Sequence, residues 1–386
     1  MKSLIKEEIN KQFEELLHIS SHLYHHPEVS GREIHSAVFL TEILEKHGFQ
    51  ITNNCYQIDH AFQAEYDSGK TGASIGFFCE YDALPEIGHG CGHNLISAMS
   101  IGAALGLKPF LDQLGGKITV FGTPAEEADG AKVDMANQGA FNNLTAAMMV
   151  HPNGITEESG SSFALYPLEF NFYGKSSHAA MAPEKGLNAL DGVIMLFNSL
   201  YALKNRYTND VNIHGVISHG GNVANIIPDF AQARFYARAP KRSLLNEVIE
   251  EMKECGLGAA KMTRTRVEFN VFEAIYDDLN TNQTLSQIFN ENLISLGENH
   301  ISQAVNSLGS IDMGNVSQVA PAIHPWLGIG NPNLVIHTKD FADYTQSENG
   351  QLCLFKGACA MAFAAHDVMI YPEIQEQILR EFYASK

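Results

Sequence analysis

The chain has 386 residues, more than one hydrophobic core usually serves, so two domains are expected. With 44 acidic against 25 basic residues the net charge is −19, which disfavours nucleic acid and anionic membrane surfaces, since both are bound by clustered Lys and Arg. The six scattered cysteines include no CxxC pair, a pattern of free thiols in a reducing compartment and not of a disulfide framework.

The amino-terminal stretch is charged and amphipathic without the apolar core of a signal peptide, and no run of eighteen apolar residues occurs. A cytoplasmic protein with no membrane span is expected. Apolar residues at helical spacing (Leu4, Ile5, Ile9, Phe13, Leu16, Leu17) predict a helix over residues 2–25. A second is predicted over 32–47, closed by Gly48. Ala73–Cys79 is short, apolar and bounded by turn residues, as a buried strand is. An irregular loop, YDALPEIGHGCGHN, leads into a small-residue helix over 95–107. Two further buried strands are predicted at Lys117–Gly122 and Ala146–Val150. Apolar strands alternating with helices indicate an α/β domain with a mainly parallel sheet covered by helices on both faces.

Near Tyr166 the pattern changes. PLEFNFYG alternates apolar and polar residues, as a half-exposed antiparallel strand does. A helix over 186–205, strands near 211–218 and 229–238, a helix over 242–260 and a strand over 263–271 follow. That order, βαββαβ, is the ferredoxin-like split-βαβ sandwich. The expected division is therefore a catalytic domain of residues 1–165 and 278–386, interrupted by an inserted α+β domain of residues 166–277.

The chemistry-bearing residues cluster after the apolar strands. In Gly90-Cys91-Gly92-His93-Asn94 a thiolate and an imidazole two residues apart can point at one ion, with glycines permitting tight turns. Thr123-Pro124-Ala125-Glu126-Glu127 follows the strand ending at Gly122, at the sheet edge where ligands bind in such folds. Two adjacent carboxylates can divide labour, one ligating metal and the other taking a proton from water. His151-Pro152 follows the apolar AAMMV run, and His337 follows Leu334–Ile336. Each alone reads as a structural histidine; convergence at one rim makes them a metal set. A mixed S, N and O set suits zinc, and also manganese or cobalt where carboxylate and water complete the shell. Asp82 is placed to orient a ligand histidine, or alternatively to cap a turn.

These motifs together (EYDALPEIGHGCGHNL, GTPAEE, His151-Pro152 and HTKDF) resemble metallopeptidase family twenty, which groups aminoacylases, carboxypeptidase G and aminobenzoyl-glutamate hydrolase. The Cys-Gly-His form is similar to its amidohydrolase branch, and the motifs are nearest to members acting on β-alanyl and related dipeptides. The resemblance runs from about His25 to the carboxyl-terminal helix. It implies two divalent ions with Cys91 as a bridge, Glu127 and His337 on one, and His93 and His151 on the other. Glu126 would be the general base and later the proton donor. The insertion would be a dimerisation or lid domain, and Ser177-His178-Ala179-Ala180 resembles a segment whose histidine reaches a partner's site to stabilise the oxyanion. Asn225 and Arg238 match positions that hold the substrate carboxylate, a task suited to a guanidinium fork. The segment Gly309–Gly314, with Asp312, resembles a turn near the substrate. Glu80 stands where the aminopeptidase branches carry a ligand histidine, which favours the amidohydrolase branch. Gly90 in place of a usual Ala, Ile311 in place of Thr, and the Ala-Asp-Gly-Ala after GTPAEE depart from the pattern at the pocket rim. Implied, then, is a homodimeric hydrolase of N-acyl amino acids or dipeptide-like conjugates. A true dipeptidase or carboxypeptidase, and a catalytically silent metal-binding homologue, are the alternatives.

Overall fold

The computed structural model describes residues 1–207, 210–304 and 307–385. They form two compact units: Met1–Ser161 with Leu279–Ser307 and Ile311–Lys386, and Ser162–Asp278 with Leu308–Ser310.

The first unit is built on a six-stranded sheet in the order Gln50–Asn53, Phe62–Asp67, Lys117–Gly122, Ser74–Cys79, Ala146–Met148, Ala322–Ile323. The last four run parallel; the first two are antiparallel additions at one side. Ser74–Cys79 is buried along its whole length, which is why it carries no polar alternation. The expected single amino-terminal helix is two, Lys2–Lys11 and Phe13–His25, separated at Gln12, whose amide bonds to the carbonyls of both Glu8 and Ile9. Both helices pack on His93–Leu107. The small residues of that helix make the approach possible: a Cβ at Gly106 would stand 2.5 Å from Ile9 Cγ1, and one at Gly102 2.7 Å from Leu16 Cδ1. Two stretches, His93–Leu114 and Glu348–Ile370, reach by length and composition alone what a membrane span needs. They are 83% and 78% buried within the protein, as core helices are.

Two local expectations change. The chain leaves the main sheet after Met148, and His151–Asn153 forms its own parallel pair with Trp326–Gly328. Leu334–Ile336 is no strand; His337 instead sits at the end of a loop, with φ +66°, its amide donating to the Gly90 carbonyl at 2.8 Å.

The second unit is a four-stranded antiparallel sheet ordered Arg266–Val271, Ala164–Tyr173, Phe230–Ala239, Asn212–His219. Numbered along the chain that order is 4-1-3-2, the ferredoxin-like arrangement. Helices Ala189–Lys204 and Arg242–Thr263 pack against it, and Phe170, Phe172, Val193, Leu196, Phe235, Val248 and Met252 fill the space between. Alternate residues of Phe230–Ala239 are buried, so the strand has one face on this core.

Candidate functional site

The buried parallel strands end on one side of the sheet, and each hands its next residues to a common centre. Ser74–Cys79 delivers Glu80 and Asp82. Lys117–Gly122 delivers Glu126 and Glu127. Cys91 and His93 come from the loop that starts the next helix, where Gly92 adopts φ +78°. A Cβ on Gly92 would also meet Pro152 Cγ at 2.5 Å, so this glycine brings the Cys91–His93 loop against the His151 segment.

Two groups of donor atoms result, each lying within 4.8 Å of one another: Cys91, Glu127 and His337, and Glu80, His93 and His151. Cys91 Sγ donates to Glu127 Oε1, and His337 Nε2 stands 3.6 Å from the same oxygen. His93 Nε2 is 3.4 Å from Glu80 Oε2 and 3.9 Å from Glu127 Oε1. These spacings are long for hydrogen bonds, but a tetrahedral shell of about 2.1 Å bonds separates its donors by about 3.4 Å. His93 Nε2 is buried without a hydrogen-bond partner, a condition that normally costs about 1–3 kcal/mol and is relieved by an ion. His151 has Nδ1 2.8 Å from the Pro152 carbonyl, so Nε2 is its free donor; burial, reinforced by His93, pushes its pKa down to about 3 and keeps it neutral, as ligation requires. The residues present therefore fit a divalent pair.

Around these donors lies a ring of fixed groups. His93 Nδ1 hydrogen-bonds the Asp82 main-chain carbonyl at 2.9 Å and lies 3.0 Å from Asp82 Oδ1, while Oδ2 accepts from Ser30 Oγ at 2.7 Å and from the Glu127 amide at 3.0 Å. Burial opposes ionisation of Asp82, yet the His93 ring and those donors hold its carboxyl below the usual range. One residue thus orients the His93 imidazole, through its main-chain carbonyl and the charge of its carboxylate, and the backbone of Glu127. Burial, followed by Glu80, Asp312 and Glu127, lifts the Glu126 carboxyl well above the usual range. Burial and Glu127 likewise push the Cys91 thiol up; a divalent ion beside it reverses that balance and favours thiolate.

Sequence reasoning did not single out two further members. Lys132 is fully buried, its Nζ 2.6 Å from Glu80 Oε1 and 2.7 Å from Asp312 Oδ1. Nothing local in the sequence marks it, because its partners are 52 and 180 residues away. Glu33, also fully buried, accepts from the Ala125 amide at 2.7 Å, and Ala125 holds a left-handed φ of +58° just before Glu126. Asp312, read as lying near the substrate, has both oxygens engaged with Lys132, one with its Nζ and the other with its amide at 3.3 Å, and its side chain is wholly buried. With no exposed surface and both oxygens on Lys132, it braces that lysine and is not presented to a substrate.

In the second unit, His178 lies on Ser177–His178, which pairs with Ile226–Ile227, and the Ala179 amide donates to the Asn225 carbonyl at 3.0 Å. His178 Nδ1 accepts from the amides of Ala180 and Met181 at 3.2 Å each. His178 and Asn225 are thus neighbours, and both are exposed. Arg238 is elsewhere: it pairs with Leu165 and Asn212 at the far end of Phe230–Ala239, its guanidinium 5.7 Å from the Tyr236 ring. The structure groups the first two and separates the third.

Residues 163–255 match the peptidase dimerisation domain family. The human Xaa-Arg dipeptidase is 34% identical over 393 residues, covering 97% of this chain and 90% of that protein. One of the subunits of the Escherichia coli p-aminobenzoyl-glutamate hydrolase is 30% identical over 300 residues, 72% of this chain and 62% of its own. Among solved structures, an aminohydrolase from methicillin-resistant Staphylococcus aureus superposes with a TM-score of 0.80 at 18% identity, over 96% of this chain and 100% of that one. A dinuclear metal-binding M20 peptidase from Bacillus subtilis does so with 0.66 at 19%, over 91% and 98%. The chain belongs to the M20 family and is a metal-dependent hydrolase of amide bonds.

Proposed function

We propose that the substrates are N-acyl amino acids or dipeptide-like conjugates with a free carboxylate, cleaved at a centre in which Cys91, His93, Glu127, His151 and His337 hold two divalent ions, zinc or manganese, with cobalt also suited. The observation that carries this is the pairing of a convergent S, N and O donor set with a second carboxylate, Glu126, that shares a 4.8 Å cluster with His93 and Glu127. When bound, the ions supply an acidified water and Lewis-acid polarisation of the scissile carbonyl. Glu126 accepts the proton of the attacking water and passes it to the departing nitrogen. Its carboxyl, held high by burial and like charges, falls towards a working base's range with divalent charge alongside. Asp82 keeps His93 in the tautomer with Nε2 presented. Arg238 has the fork geometry to take the substrate carboxylate, and its Nε is buried with no hydrogen-bond partner.

A homodimer through the inserted unit is part of this reading. Eight residues of strand, about 27 Å, separate Arg238 from the His178 end of the unit, so one site that uses both draws them from two copies. Strand Asn212–His219 has an open edge carrying Val216 and Ile217, 62% and 46% exposed. The compartment is the cytoplasm, in keeping with six free cysteines, five of them buried. A second reading, dipeptidase action, is favoured by the 34% identity to the human Xaa-Arg dipeptidase.

The test is metal content of the purified protein with hydrolysis of a panel of N-acyl amino acids, β-alanyl dipeptides and dipeptides ending in arginine, before and after chelation. Near-stoichiometric metal and chelator-reversible cleavage support the reading, and the preferred substrate selects between the two classes. Cleavage that persists without metal refutes it.

A further inference from the structure

Glu80 is more than a marker of the branch. It directly follows a fully buried strand, and its carboxylate divides between two tasks. Oε1 is gripped by Lys132 Nζ at 2.6 Å, and Oε2 is 3.4 Å from His93 Nε2. Lys132 in turn is fixed by Asp312, at 2.7 Å through Nζ and 3.3 Å through its amide. All three side chains are 0–2% exposed. A lysine in such a place survives only because two carboxylates bracket it. Asp312 is thus an anchor for Lys132, Lys132 an anchor for Glu80 Oε1, and Oε2 is the one oxygen of Glu80 directed at the donor cluster. The second observation is on the other side of that gap: the His93 Nε2 atom, buried and unpartnered, aims at the same point, and His151 completes a triangle of donors within 4.8 Å.

We propose that Glu80 is a sixth protein ligand, binding through Oε2 the ion held by His93 and His151, with Lys132 and Asp312 as the positioning residues that set its orientation. This rests on the two-ion reading above. It gives each ion three protein donors including one carboxylate: Cys91, Glu127 and His337 on one, His93, His151 and Glu80 on the other, with Cys91 available to both. With Oε1 occupied by lysine, Glu80 is confined to one-oxygen ligation, and its charge is half-neutralised before the ion arrives. The Glu80 side is consequently the harder, oxygen- and nitrogen-rich half of the centre, and the thiolate side the softer half.

The test uses the full chain, stripped by chelator, reloaded with manganese or cobalt(II) and dialysed, with ions counted by mass spectrometry. Wild type is expected to hold two. Glu80→Gln should hold one, while the thiolate-to-cobalt band that reports Cys91 persists. Lys132→Met should keep the stronger ion and bind the other about 10- to 100-fold more weakly, the usual cost of losing a group that orients a ligand. If Glu80→Gln does not fold, Glu80→Asp is read in its place: it keeps the charge but withdraws the oxygen, and loss of one ion supports the proposal. Two ions at wild-type affinity in the folded Glu80 variant overturn it. A wild type that holds no ion refutes the two-ion reading itself, and this proposal with it.

Discussion

Glu33→Gln tests how the turn that presents Glu126 and Glu127 is held. Glu33 is wholly buried and accepts from the Ala125 amide at 2.7 Å; burial, and next the Asp82 carboxylate, raise its pKa from the usual 4.5 to about 7. A carboxyl whose pKa is higher folded than unfolded binds protons more tightly in the native state. Its stabilisation is therefore full below the unfolded value and is lost as pH rises to about 7. At 1.36 kcal/mol per unit the whole effect is about 3 kcal/mol, of which about 2.5 falls between pH 5 and pH 8. Glutamine retains an oxygen for the Ala125 amide but cannot ionise, so the variant should lose that much less stability over the same interval. The assay is urea unfolding of chelator-treated protein followed by the fluorescence of Trp326, the single tryptophan, which lies in the catalytic unit with its ring 4.5 Å from that of His151. Parallel stability–pH curves for wild type and variant would refute the reasoning. A constant offset between such parallel curves would assign Glu33 a purely steric role.

Other outcomes follow from the same geometry. Glu126→Gln should retain both ions and lose about 10²- to 10⁴-fold in turnover, the range for a missing general base, as initial rates and metal analysis would show. Gly92→Ala places a Cβ at φ +78° and 2.5 Å from Pro152 Cγ, so a cost of about 1–2 kcal/mol in urea unfolding, with weaker metal retention, is expected. Lysines at both Val216 and Ile217 should bring like charges together across a paired edge and convert a dimer to monomers in light scattering, with the separate units still folded.

Much of the catalytic unit was legible in the sequence because its signals are local. A strand buried on both faces must be apolar throughout, so Ser74–Cys79 and Lys117–Gly122 declare themselves, and the residues just after them are the natural site. The order of elements after Ala164 likewise names the ferredoxin-like arrangement, and two-period burial along Phe230–Ala239 belongs to a sheet with one covered face. Ala164–Tyr173, expected to be half-exposed, is instead buried along most of its length, because Glu169 and Asn171 on its polar side are covered by their bonds to Arg234, Asn270 and Gln232. Cys91, His93, Glu127, His151 and His337 were chosen by residue type and position, and the fold brings their donor atoms into two adjoining clusters.

What the sequence could not show depends on separations that only folding closes. Lys132 looks like any surface lysine until the fold places it between Glu80 and Asp312, and Glu33 like any helix-entry glutamate until its carboxylate meets Ala125. Short strands such as Ala322–Ile323 carry too few residues to show a period, and they exist because neighbours supply their hydrogen bonds. Residue type and strand pattern thus determined which chemistry is present. Desolvation and distance, properties of the packed chain, decided which carboxylates converge on the donor clusters and which are held by Lys132 or by the Ala125 amide.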